Sequence, residues 1–63
     1  KMTQIKITNN TTASDLEKFC GKHLLQFTGV TKVKTKEGNI PIEFGDTIKL
    51  NEDGTFSVEK NAD

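Results

Sequence analysis

The sequence predicts an α+β domain in which one short helix packs on a small, mostly antiparallel, curled sheet of about four to five strands. In the last third of the chain, apolar residues recur at every second position, the period of a strand with one buried face. These positions are Ile40, Ile42, Phe44, Ile48, Leu50, Phe56 and Val58. Asp53-Gly54 lies between the last two strands and is typical of a tight hairpin turn.

The N-terminal part contains the first strand and the helix. Residues 4–8 alternate in polarity and include β-branched residues, as expected for a strand. Ser14 precedes Glu17 by three residues, which fits a capping box with Ser14 as the cap. The apolar stripe of the helix consists of Leu16, Phe19 and Cys20. Gly21 is expected to end the helix in the left-handed conformation.

The middle of the chain is predicted to form two strands, at 24–27 and 30–35, joined by a turn at Gly29. Pro41 lacks a backbone N–H, which favours an edge position or a bulge for its segment. The expected core consists of Ile5, Ile7, Leu16, Phe19, Cys20, Leu25, Phe27, Val33, Ile40, Ile42, Phe44, Ile48, Leu50, Phe56 and Val58.

A chain of 63 residues has room for one domain near the lower size limit for folding without staples. We assign this domain to residues 2–59 and expect a frayed C-terminal tail at 60–63. Lys1, which precedes Met2, is interpreted as a residue left by expression cloning. The single cysteine suits a reducing compartment, and no apolar run has the length of a membrane span, so no membrane partner is expected.

No residues suggest catalysis. Cys20 and His23 are the only nucleophile and base that lie close in sequence, and Cys20 belongs to the apolar stripe, where a thiol is inert. Two such ligands are also too few for a four-ligand structural zinc site. The sequence therefore predicts a protein without enzymatic activity, cofactor or metal.

The charge distribution suggests two binding surfaces. Residues 1–36 carry seven lysines and two acidic residues, whereas residues 37–63 carry two lysines and seven acidic residues. The acidic part is expected to attract a basic protein, and its candidate residues are Glu43, Asp46, Glu52, Asp53 and Glu59. Asp46 and Asp53, each next to a glycine, are also predicted to accept backbone N–H groups in turns. The basic part is expected to contact phosphates, and its candidates are Lys22, Lys32, Lys34 and Lys36. The chain has no Arg, Trp or Tyr, and all four Phe are assigned to the core, which weighs against nucleic acid.

Four short motifs occur in a recognisable order along about 45 residues. They are Phe19-Cys20-Gly21 at the helix end, Thr35-Lys36-Glu37-Gly38, Gly45-Asp46-Thr47-Ile48 and Gly54-Thr55-Phe56. In this order the chain resembles a loosely defined group of very short phage and prophage proteins of unassigned function. It departs from them at Thr47, where the group usually has an aromatic residue, and it lacks their later Phe-Tyr-Pro segment. The resemblance implies a phage-encoded origin, a compact α+β fold and the cytoplasm of a bacterial host.

The first hypothesis is therefore a non-enzymatic, phage-encoded interaction protein that binds a macromolecular partner through a charged face, for example as an inhibitor or modulator of a host protein. The alternative is a small nucleic-acid-binding module that uses the lysine-rich strand. A monomer or a weak homodimer is expected.

Overall fold

The computed structural model describes residues 2–62, which form one helix, one 3-10 turn and six strands. In chain order these are β1 (Gln4–Lys6), α1 (Ala13–Cys20), the 3-10 turn (Gly21–His23), β2 (Leu24–Phe27), β3 (Val30–Thr35), β4 (Gly38–Pro41), β5 (Thr47–Leu50) and β6 (Phe56–Glu59). The α+β class is confirmed, with six strands instead of four to five. Lys1 and Asp63, and with them the interpretation of Lys1 and the end of the predicted tail, lie outside the described residues.

The strands form two antiparallel sheets of three. Sheet A has the order β1-β5-β6 and sheet B the order β2-β3-β4. In sheet A, Ile5 lies opposite Ile48, which in turn lies opposite Val58. In sheet B, Val33 lies between Leu24 and Ile40. Each sheet thus presents one apolar face toward the interior, as the period of two predicts.

Pro41 ends β4, which is an edge strand of sheet B, so the predicted edge position is confirmed. Pro41 lies opposite Lys32, and the next residue, Ile42, donates its N–H to the Thr31 carbonyl at 3.0 Å. Because hydrogen-bonded and non-hydrogen-bonded pairs alternate in an antiparallel ladder, Pro41 occupies a position that needs no N–H toward β3. The missing donor therefore costs the sheet nothing.

The helix cap lies two residues before the predicted one. Thr12 is the N-cap: its Oγ1 accepts from the Asp15 N–H at 3.1 Å, and the Asp15 carboxylate accepts from the Thr12 N–H at 3.0 Å. The prediction of Ser14 as the cap was wrong. Thr12 and Asp15 have the same three-residue spacing as Ser14 and Glu17, and the capping box forms between Thr12 and Asp15 instead. Gly21 ends the helix as predicted, but with φ 59° and ψ −131°, outside the left-handed helical region.

The core lies between the two sheets and the helix. Its buried apolar residues are Cys20, Val33, Ile48 and Phe56. Partly buried residues packed against them are Ile5, Ile7, Leu16, Phe19, Leu24, Ile42, Leu50 and Val58. Phe19 and Phe56 meet edge to face, with ring centroids 5.6 Å apart, a favourable aromatic geometry.

Four predicted core residues are absent from this core. Leu25 and Ile40 are only partly buried, and Phe27 and Phe44 are on the surface. Phe27 is 55% exposed and Phe44 is 61% exposed. In β2 it is Leu24, not Leu25, that packs against the core, so the inward phase of this strand differs by one residue from the prediction and Phe27 points outward. Phe44 follows the last inward residue of its segment, Ile42, at the point where the chain turns.

The C-terminal segment is anchored at its start. Asn61 donates its N–H to the Asp46 carboxylate at 2.9 Å, and the Lys60 ammonium contacts both the Asp46 carboxylate and the Pro41 carbonyl. Lys60 and Asn61, the first two residues of the predicted tail, thus both contact Asp46.

Candidate binding surface

The outer face of sheet B is the most distinctive surface of the protein. It is defined by the register of β2, β3 and β4, since residues directly opposite one another point to the same side. Its members are Leu25, Phe27, Val30, Lys32, Lys34, Asn39 and Pro41. The three strands contain no Asp or Glu, so this face combines apolar and positively charged side chains with one neutral polar residue, Asn39.

Phe27 lies at the hairpin end of this face and has two neighbours on it. It lies opposite Val30, which is 44% exposed. The Lys32 ammonium lies 5.6 Å from the centroid of the Phe27 ring, within the range of a cation–π interaction. The ring is therefore more than half exposed to solvent and has a positive charge over one of its faces.

The β2–β3 hairpin explains this arrangement. A two-residue loop, Thr28-Gly29, joins the strands, and Gly29 has φ 76°, as short hairpin turns require. In β3, Val33 is fully buried, so the alternating positions Lys32 and Lys34 face outward. Residues two apart on a strand are about 6.6 Å apart, which sets the distance between the bases of these two lysine side chains.

The other two candidate lysines lie elsewhere. Lys22 is an exposed residue of the 3-10 turn. Lys36 follows the end of β3, and its ammonium forms an ion pair with Asp53 at 2.6 Å. This hydrogen-bonded carboxylate raises the pKa of Lys36. The structure therefore brings Lys32 and Lys34 together on the outer face and leaves Lys22 and Lys36 off it.

The candidate acidic residues do not form one surface. Asp46 is only 1% exposed, and Glu59 forms an ion pair with Lys49 at 3.1 Å. Asp53 is paired with Lys36 and accepts from the backbone N–H and the hydroxyl of Thr55, which confirms its predicted turn role. Only Glu43 and Glu52 are exposed without an ion pair to any residue of the described range 2–62.

Asp46 has a structural role. Its carboxylate accepts hydrogen bonds from the Glu43 and Asn61 N–H groups, at 2.8 and 2.9 Å, and from Lys60. Burial raises the pKa of this carboxyl, but the hydrogen bonds from Lys60, Asn61 and Glu43 outweigh burial and lower the pKa overall. Asp46 is thus the predicted turn acceptor and lies away from the surface.

Cys20 and His23 do not form a nucleophile–base pair. Cys20 is buried, and burial raises the pKa of its thiol to about 11, so the thiol is protonated at neutral pH. The His23 ring packs against Phe56, with centroids 5.1 Å apart. Within residues 2–62, no three His, Cys, Asp or Glu side chains come close enough to hold a metal ion.

A depression lies between α1 and sheet A. It has a volume of about 600 Å³ and is lined by Met2, Ile5, Asp15, Lys18, Phe19 and Leu50. Its one carboxylate, Asp15, caps the helix, so Lys18 is the one charged lining group left to meet a ligand.

No helix in the described part of the chain is long and apolar enough to span a bilayer.

Comparisons with protein-family models, with curated proteins and with solved structures find no match for this chain.

Proposed function

We propose that this protein is a non-enzymatic binding module for single-stranded nucleic acid, and that the outer face of sheet B is its contact surface. The observation that carries the proposal is the exposed Phe27 ring with the Lys32 ammonium 5.6 Å from its centroid. Lys34 extends the positive charge along the same strand.

The chemistry of this face matches the two requirements of single-strand binding. Unpaired bases stack on exposed aromatic rings, and lysines neutralise the phosphates of the backbone. Val30 and Pro41 add apolar contact area on either side of the lysines. A duplex hides the faces of its bases inside the stack, so an exposed ring favours a single strand over a duplex.

The acidic residues support a protein partner less well. Asp46, Asp53 and Glu59 already have positive partners within the chain, and a new partner would have to replace them. Lys32 and Lys34 form no ion pair with any residue between 2 and 62. A phage-encoded origin and an effect on a host process rest on the motif resemblance alone.

The chain offers a matched pair of variants to test this proposal. Phe27→Leu keeps an apolar side chain on the outer face but removes the stacking ring, and Phe44→Leu makes the same change at an equally exposed phenylalanine elsewhere. With a fluorescently labelled oligothymidine at low salt, we expect Phe27→Leu to weaken binding roughly 5- to 100-fold, since stacking contributes about 1–3 kcal/mol per base. Phe44→Leu should bind like the wild type.

Fluorescence anisotropy measures both affinities directly. Equal weakening by the two substitutions, or no binding by the wild type at 20 mM salt, would contradict the proposal. Binding of duplex DNA with the same affinity as the single strand would also contradict it, because a duplex offers no unpaired base that could stack on Phe27.

A further inference from the structure

A small cleft lies at the end of the outer face, where β3 ends and β6 begins. It has a volume of about 120 Å³ and is lined by His23, Lys34, Thr35, Lys36 and Thr55. Two ammonium groups and an imidazole thus border one depression, and none of its lining residues is a carboxylate. Lys34 belongs both to this cleft and to the outer face of sheet B, so the two are continuous.

The two threonine hydroxyls of the cleft are already used. The Thr35 hydroxyl donates to the Gly38 carbonyl at 2.7 Å, and the Thr55 hydroxyl donates to the Asp53 carboxylate at 2.6 Å. Hydrogen bonds to a ligand must therefore come from the nitrogen atoms of His23, Lys34 and Lys36. Such donors, two of them positively charged, select an anion.

The ion pair between Lys36 and Asp53 does not close the cleft. The pair joins two side chains that are each at least half exposed, and such pairs contribute little free energy in water. An ammonium group has three N–H donors, and two of them remain for another acceptor. Asp53 repels an anion, but the two ammonium groups of Lys34 and Lys36 outnumber this one carboxylate. Because the net attraction grows with the charge of the ligand, a doubly charged group gains more here than an internal phosphate.

We infer that this cleft binds the terminal phosphate of the strand that lies on the outer face. A phosphate monoester carries a charge of about −1.5 to −2 at neutral pH, whereas each internal phosphate carries −1. The volume of about 120 Å³ is enough for one such group. This inference rests on the proposed function, because the strand reaches the cleft past Lys32 and Lys34.

The test compares oligothymidines that carry a 5′-phosphate, a 3′-phosphate or neither. Each phosphorylated strand is labelled at the end without the phosphate, and its unphosphorylated control is labelled at that same end. We expect a phosphate at one of the two ends to tighten binding about 3- to 10-fold. Lys36→Gln should abolish this advantage, and Lys49→Gln should keep it. Lys49 is the matched control because it also forms a surface ion pair, with Glu59, but lies in sheet A.

A titration of wild-type protein with pyrophosphate alone, followed by amide chemical shifts, needs no variant. We expect shifts at His23, Lys36 and Thr55. If the unphosphorylated strand binds but neither terminal phosphate adds affinity, the inference is overturned and the proposed function stands. If pyrophosphate shifts these amides but no oligonucleotide binds, the cleft is a site for free phosphate groups, and the link to a strand is overturned. A terminal advantage that survives Lys36→Gln would place the phosphate elsewhere.

Discussion

Asp46 shows, at the scale of the residue, how burial decides between two roles that a sequence leaves open. A carboxylate after a glycine was predicted both as a turn acceptor and as a member of an acidic binding surface. The turn role is confirmed by the hydrogen bond from Glu43, three residues away. The other partners, Lys60 and Asn61, are 14 and 15 residues away, and no local pattern indicates such long-range contacts.

Asp46→Asn should destabilise the protein by about 2 kcal/mol at neutral pH, the typical contribution of hydrogen bonds to a charged group. Both Asp46 oxygens accept hydrogen bonds in the native state, whereas the amide –NH₂ of Asn would face a donor. Urea unfolding followed by circular dichroism measures the change. Asp53→Asn, at an exposed turn, is the control and should cost less; an equal or larger loss there would contradict this assignment of Asp46.

Asp46→Asn also tests how the stability of the protein depends on pH. A carboxyl whose pKa is lowered in the folded state contributes stability above its unfolded pKa, about 3.9, and loses it as the pH falls through the folded pKa. Wild-type stability should therefore fall below about pH 4. Asp15 and Asp53, whose pKa values are also lowered, contribute to this fall in both proteins. The difference in stability between wild type and Asp46→Asn should shrink as the pH drops from 5 to 2, and a constant difference would contradict the role of the charge.

At the scale of the element, the β2–β3 hairpin shows that the inward face of a strand cannot always be predicted from that strand alone. In the segment Leu24–Phe27, either Leu24 and Gln26 or Leu25 and Phe27 can face inward. Taken alone, the strand favours the second choice, because both of its residues are apolar, and this choice places Phe27 in the core. The pattern of β3 is less ambiguous, because Lys32 and Lys34 alternate with Val33. A two-residue turn with Gly29 pairs Phe27 with Val30, which puts the ring on the lysine side. The composition of the outer face of sheet B could therefore have been predicted from the register of the pair.

The helix depends on its cap. It has eight residues, too few for an isolated helix in water, and Thr12 satisfies one of its first N–H groups. Thr12→Val keeps the shape of the side chain and should cost about 1 kcal/mol of stability. Ser14→Ala, at the cap position that the sequence suggested, should change stability little. Thermal unfolding of both variants measures this, and a larger loss for Ser14→Ala would contradict the observed cap.

For the whole molecule, the uneven charge distribution is only partly neutralised by folding. Of the three ion pairs within residues 2–62, only Lys36–Asp53 joins the basic part of the chain to the acidic part. The lysines without an ion pair in this range are Lys6, Lys18, Lys22, Lys32 and Lys34. The fold class and the hairpins follow from local patterns, whereas this distribution of free charge depends on contacts between sheets and turns.

The most direct test of the binding surface is an amide NMR titration of the wild-type protein with oligothymidine, at 20 and at 200 mM salt. The proposed function requires shifts concentrated at Phe27, Val30, Lys32 and Lys34, with affinity falling steeply at the higher salt concentration as counterion release demands. Shifts confined to the surroundings of Glu43 and Glu52, or no shifts at 20 mM salt, would contradict the assignment of the outer face of sheet B to single-stranded nucleic acid.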